Sequence, residues 1–151
     1  MMPQEYVDIK VPSNPKLLRL VRRTVAAACE LMGFDPREIN AITLAVDESC
    51  TNIIRHCGGG AYRGDILVRL RMLPDRLVIT IRDYGGAIDM NRLRDCLERR
   101  RREIQSESGV KPGGLGVMLI HSVMDQVRYR TNQNSGTVLR LVKHLSKPKG
   151  I

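Results

Sequence analysis

The sequence predicts an α+β fold, a two-layer sandwich in which helices cover one face of a mostly antiparallel sheet. Three observations carry that reading. Alternating apolar runs come in adjacent pairs joined by short turn signals, which is the pattern of hairpins. Two amphipathic helical stretches follow one another and group against that sheet as the second layer. A chain of 151 residues with 42% hydrophobic content can bury one core without metal or disulfide help, so residues 1–151 are expected to form a single domain.

Val7, Ile9 and Val11 alternate with Asp8 and Lys10 and predict a first strand. Asn14-Pro15 then offers an N-cap and an N1 proline to a helix expected to bury Leu17, Leu20, Val21, Val25, Ala28 and Leu31, with Gly33 ending it. Asp35-Pro36-Arg37-Glu38 repeats the device. Ile39, Ile42, Val46 and Ile53 mark the buried face of a second helix, expected to run to about Cys57 because Gly58-Gly59-Gly60 cannot sustain it. Ile66, Val68, Leu70 and Met72, the turn Pro74-Asp75, then Leu77, Ile79 and Ile81 read as an antiparallel hairpin with Asp83 at its exit. From about Met90 to Gln105 charge is dense and only Leu93, Leu97 and Ile104 form a thin apolar stripe, the pattern of a loosely attached helix or mobile cover. Val117, Leu119, Ile120, Val123 and Met124 predict a short buried helix. Strands over Val127–Thr131 and Thr137–Lys143, turning at Asn134-Ser135-Gly136, complete the sheet ahead of a short basic tail, 143–151.

Composition narrows the partners. A formal charge of +9 favours anionic ones, but there is no Trp and a single Phe34, which disfavours direct nucleic-acid binding by base stacking. Cys29, Cys50, Cys57 and Cys96 contain no C-x-x-C pair and are expected to be buried free thiols rather than bridges or zinc ligands. The N-terminus lacks a basic segment followed by an apolar run, and nowhere do 18 consecutive apolar residues occur, so a cytoplasmic protein with no membrane contact is expected.

Three short motifs carry the chemistry. Glu48 and Asn52 stand four apart, on one helical face offset from the apolar stripe. A carboxylate there suits a base for an attacking hydroxyl, and an amide oxygen suits Mg²⁺. The same pair also fits a plain solvated helix face. Asp83 precedes Gly85 and Gly86; a carboxylate accepts a hydrogen bond from the exocyclic amine of adenine but meets a carbonyl oxygen in guanine. A strand-end Asp in a turn is the simpler alternative. Gly113, Gly114, Leu115 and Gly116 lead into a helix, where backbone N–H groups can wrap phosphates or merely form a flexible turn. This segment matches neither the P-loop nor the dinucleotide fingerprint. In this order and spacing, the three motifs form an arrangement for holding Mg-ATP without a P-loop.

With these residues in place, the chain resembles the GHKL ATPases of the Bergerat, histidine-kinase-like fold, and more narrowly the anti-sigma regulatory factors, the serine-protein kinases of bacterial partner switching. Ala45 to His56 is similar to that family's N-box, Ile81 to Asp89 to its adenine box, and Lys111 to Asp125 to its second glycine box. The resemblance runs from about Tyr6 to Leu145. It implies Glu48 as catalytic base, Asn52 as Mg²⁺ ligand, Asp83 as adenine contact, and a lid over about 90–112. It further implies ATP and Mg²⁺ as cofactors, a sigma factor and an anti-sigma-factor antagonist protein as partners, a serine of that antagonist as substrate, and a homodimer. The chain departs from the superfamily's D-x-G-x-G in having Gly86 early and Ala87 last. No His precedes the N-box as a phosphoacceptor, which disfavours histidine-kinase activity. The alternative function is an ATP-binding, non-catalytic module that only sequesters a partner, and the presence of Glu48 favours the kinase. The run Arg99 to Arg102 in the lid could clamp phosphates or form a solvated face, and His56 is assigned a structural role.

Overall fold

In the computed structural model, residues 4–53, 64–83, 98, 114–132 and 136–146 are described. The first strand, β1, spans Glu5–Pro12. Asn14 then caps a short 3-10 turn, Pro15–Leu17, its side chain accepting from the Lys16 N–H. The turn feeds α1, Leu18–Met32. Gly33 ends this helix at φ 93, a left-handed conformation in which an L side chain is strained, and its N–H donates to the carbonyls of Cys29 and Glu30. Phe34 buries its ring one residue later and donates its own N–H to Cys29. Asp35 starts α2, Pro36–Thr51, by accepting from the Glu38 N–H at 2.8 Å, as the capping pattern predicts.

The sheet adds β2, Asp65–Met72, and β3, Arg76–Asp83. A third helix, α3, spans Gly114–Val123 and leads to β4, Gln126–Asn132, and β5, Gly136–His144. The strand order is β1-β2-β3-β5-β4, and all four pairings are antiparallel. Register explains the layering. Ile66, Val68 and Leu70 pair across to β3, and Ile79 and Ile81 pair with Leu141 and Leu139, so one apolar face runs across the strands. Val21 and Val25 of α1, Ile42 and Val46 of α2, and Ile120 of α3 belong to the same core cluster as that face. The predicted two-layer α+β sandwich is the observed fold.

Two expectations about α1 need correction. Leu20 is 52% exposed and Leu31 80% exposed, whereas Leu18 and Cys29 are buried. The reason is phase: because Leu18 opens the α-helix after a 3-10 turn, the buried stripe runs 18, 21, 25, 28 and 29, and residues 20 and 31 fall more than a quarter-turn off it. In α2 the buried face is also wider than predicted, with Ala45, Ser49 and Cys50 joining Ile42, Val46 and Ile53, while Ile39 is only partly buried. Its α-helix ends at Thr51, and Asn52 and Ile53 continue it in a wider π turn. Residues 54–57, where the helix was expected to end, lie outside the described residues, as do the turn at 134–135, the lid apart from Glu98, and the end of the basic tail.

The third helix also differs from expectation. It begins at Gly114, so Gly114, Leu115 and Gly116 form its first turn rather than a loop before it. Ile120 and Met124 are buried, Leu119 and Val123 are partly buried, and Met118 is 47% exposed. Lys143 of β5 reaches the far end of α3 and donates to the Val123 carbonyl at 2.9 Å, placing a cation at the negative end of the helix dipole.

Candidate functional site

Among the described residues only three polar or charged side chains are buried: Ser49, Asn52 and Asp83. Two of them are residues singled out in the sequence, and all three lie within the first two motifs. Burial of an amide or a carboxylate is costly unless something compensates it, so their position is not that of an ordinary solvated helix face or an exposed strand-end turn.

Asn52 is 5% exposed and sits in the π turn at the end of α2, its backbone N–H bonded to the carbonyls of Glu48 and Ser49. The next residue, Ile53, is part of the core, and Asn52 follows Ala45 and Ser49 along the buried side of the helix. Glu48, one helical turn earlier, is half-buried. Ser49 was not singled out from the sequence. Its hydroxyl donates to the Ala45 carbonyl at 2.7 Å, which satisfies it within the helix and leaves it a packing role. The only sequence signal for it is its position three residues after Val46, in phase with the apolar stripe.

Asp83 is the last residue of β3 and is fully buried. It pairs with Ile66, and strand alternation puts it on the same side of the sheet as Ile79 and Ile81, the side that faces the helices. A carboxylate at the end of a core strand therefore lies between the layers instead of in solvent. Asn52 and Asp83 both make polar interactions, yet Asn52 Nδ2 and Asp83 Oδ2 are buried atoms that take part in no hydrogen bond. The start of α3 supplies a third feature. The first turn of a helix leaves backbone N–H groups without intrahelical partners and carries the positive end of the dipole. Gly114, Leu115 and Gly116 occupy that turn, and α3 packs on α2.

The neighbour of Glu48 was also missed. Asp47 accepts from Arg22 of α1 at 3.0 Å, an ion pair whose acidic side chain is only 20% exposed. It ties α1 to α2 beside Glu48; an Asp in the motif gives no clue to a partner 25 residues earlier. Cys50, next along the helix, is a buried free thiol, and burial pushes its pKa up to about 12. Cys29 is likewise free and buried, as expected, while Cys57 and Cys96 lie outside the described residues. So do Gly85, Gly86, Gly113, His56 and Arg99 to Arg102. Among the described residues no group of His, Cys, Asp and Glu could hold a metal ion, and no helix is long and apolar enough to cross a membrane. A shallow basic cleft lined by Arg19, Arg22, Arg23, Ala26 and Thr43 contains none of the predicted site residues.

A helix packed on α2, a buried strand-end carboxylate and a buried amide on a five-stranded antiparallel sandwich are the features expected of an ATPase of the histidine-kinase-like class. The family profile described as the histidine kinase-like ATPase domain matches residues 11–143, and the chain belongs to that family. Among curated relatives it is similar to the protein named serine-protein kinase RsbW of Halalkalibacterium halodurans, 32% identical over 147 residues, covering 95% of this chain and 85% of that protein. The protein of the same name from Bacillus subtilis is 28% identical over 142 residues, covering 94% and 87%. Among solved structures, the RsbU and RsbW domains of a Mycobacterium tuberculosis protein match with a TM-score of 0.64 at 19% identity, covering 97% of this chain and 34% of that one. That likeness concerns the fold.

Proposed function

We propose that this chain is an ATP-dependent serine-protein kinase and anti-sigma factor of bacterial partner switching, which phosphorylates a serine of an antagonist protein and sequesters a sigma factor. The observation that carries the reading is the confinement of buried polar side chains, among the described residues, to the N-box and adenine-box segments of a histidine kinase-like ATPase domain. The name serine-protein kinase borne by relatives matched along most of their length supports it. Two partners and a homodimer follow from the same family resemblance.

The donor set suits a magnesium nucleotide. Asp83 offers a buried carboxylate to the exocyclic amine of adenine and would face a carbonyl oxygen in guanine. The Asn52 amide oxygen is a hard ligand for Mg²⁺, and the N–H groups at the start of α3, with Gly113 before them and Gly85 and Gly86 beyond Asp83, suit close backbone approach to a nucleotide. Bound Mg-ATP supplies the transferable γ-phosphoryl group. Glu48, half-buried one turn before Asn52, would act as the base that takes the proton of a substrate serine hydroxyl, with the γ-phosphoryl passing to that oxygen and ADP leaving.

The test is label transfer from γ-labelled ATP to a serine in a bacterial extract, with ATP binding followed by calorimetry. Glu48→Gln is expected to lower transfer by roughly 10²–10⁴-fold with ATP binding retained. Near-normal transfer in that variant removes Glu48 from the chemistry. Tight ATP binding with no transfer to any protein by the wild type would leave the non-catalytic sequestering module as the function.

A further inference from the structure

The sheet face turned away from the helices carries a cluster of charge that the nucleotide site does not use. Alternation places Asp8, Arg69, Thr80, Arg140 and Arg128 in one cross-strand row on that face. The next row runs Lys10, Leu67, Arg82, Val138 and Arg130. On the β1–β2 side two of the cations, Lys10 and Arg69, are paired with acidic neighbours. Arg69 donates twice to Asp8, at 2.7 and 2.8 Å, and Lys10 lies 3.8 Å from Asp65.

The β5–β4 side is different. Arg128, Arg130 and Arg140 are exposed, no acidic residue stands on this face of either strand, and none of the three has an ion-pair partner among the described residues. Arg128 and Arg140 are direct cross-strand partners, and like charges so placed destabilise a sheet. Charges on β4 alone would be explained by its position as an edge strand, since charged residues deter unwanted pairing. Arg140 is not explained that way, because β5 is an interior strand.

We propose that the open face of β4 and β5, through Arg128, Arg130 and Arg140, docks an acidic polypeptide segment of a protein partner. Residues two apart on a strand lie roughly 7 Å from one another, a spacing that carboxylates on alternate residues of an extended segment reproduce. Guanidinium groups bind carboxylates through paired hydrogen bonds. A second copy of the chain would bring the same cations to the face and be repelled. Single-stranded nucleic acid would find no stacking ring there, because Tyr129 of β4 packs against the core on the opposite side. The proposal rests on the sheet face and is independent of the nucleotide site.

The experiment uses the full chain with poly-L-glutamate and, separately, a 20-base-pair DNA duplex, in a salt titration. The wild type is expected to bind polyglutamate more tightly than the duplex, with affinity falling as salt rises. R128E/R130E should weaken polyglutamate binding at least tenfold and leave ATP binding unchanged. R140E should weaken it as well while raising the thermal midpoint, because repulsion with Arg128 becomes attraction; that combination separates lost docking from lost folding. Unchanged polyglutamate affinity in both variants overturns the proposal. So does tighter binding of the duplex that the same variants abolish, or a dimer in sedimentation that R128E/R130E dissociates.

Discussion

Asp83 shows how much one residue's surroundings add to its type. Its place after an apolar strand is legible in the sequence, but its complete burial on the helix side of the sheet is not, because that depends on which face the helices cover. In the proposed function, a buried carboxylate that meets the adenine amine would make ATP the preferred nucleotide. Asp83→Asn keeps the volume and removes the charge, so it should weaken ATP binding by about 1–3 kcal/mol and reduce discrimination against GTP. Calorimetry with both nucleotides checks this; a wild type that binds them equally well would discard the adenine contact. Glu48 and Asn52 illustrate the same point. Their spacing is equally compatible with a solvated face, and the structure departs from that reading at Asn52, which is buried.

At the scale of elements, caps and strand pairs were legible and helix phase was not. Asn14, Gly33 and Asp35 act locally, through their own backbone and their neighbours, and each stands where its residue type indicates. The buried stripe of α1 depends on where the α-helix begins after the 3-10 turn, which a periodicity count over an apolar-rich stretch does not fix. Two leucines two residues apart test the phase. Leu18→Ala, at a side chain 3% exposed, should destabilise the protein by about 2–5 kcal/mol. Leu20→Ala, at one 52% exposed, should stay within about 0.5 kcal/mol. Chemical denaturation of the two variants measures both, and similar losses would contradict the observed orientation of α1.

Helices α1 to α3 and strands β1 to β5 join through one aliphatic core, which among the described residues holds two thiols, Cys29 and Cys50. Burial raises the pKa of Cys50 from an ordinary 9.0 to about 12. The native state therefore keeps a proton that the unfolded chain gives up above pH 9. Its contribution is fully present below that pH and is lost as pH rises from 9 towards 12. Stability should fall over this window by up to about 1.4 kcal/mol per pH unit for Cys50. Cys50→Ala should flatten the slope, whatever the cavity does to the absolute value. Denaturant melts at several pH values between 8 and 11 compare the slopes; identical slopes would mean that the thiol is not sealed from solvent.

The sequence by itself determined the layered α+β class, the hairpin of β2 and β3, the helix caps, and the motifs carrying Glu48, Asn52 and Asp83. These are written in alternation, in capping residues and in short spacings, which act over a few residues along the chain. Only the tertiary structure decided that β5 lies between β3 and β4, that Arg22 of α1 grips Asp47, that Leu20 and Leu31 face outwards, and that Gly114 to Gly116 form the first turn of a helix. It also decided that Arg128 and Arg140 face each other, since their juxtaposition exists only once β4 and β5 have paired in register. The physical reason is range: turns, caps and periodicity are set by neighbours in sequence, whereas burial and cross-strand contacts depend on which distant surfaces the hydrophobic core brings together.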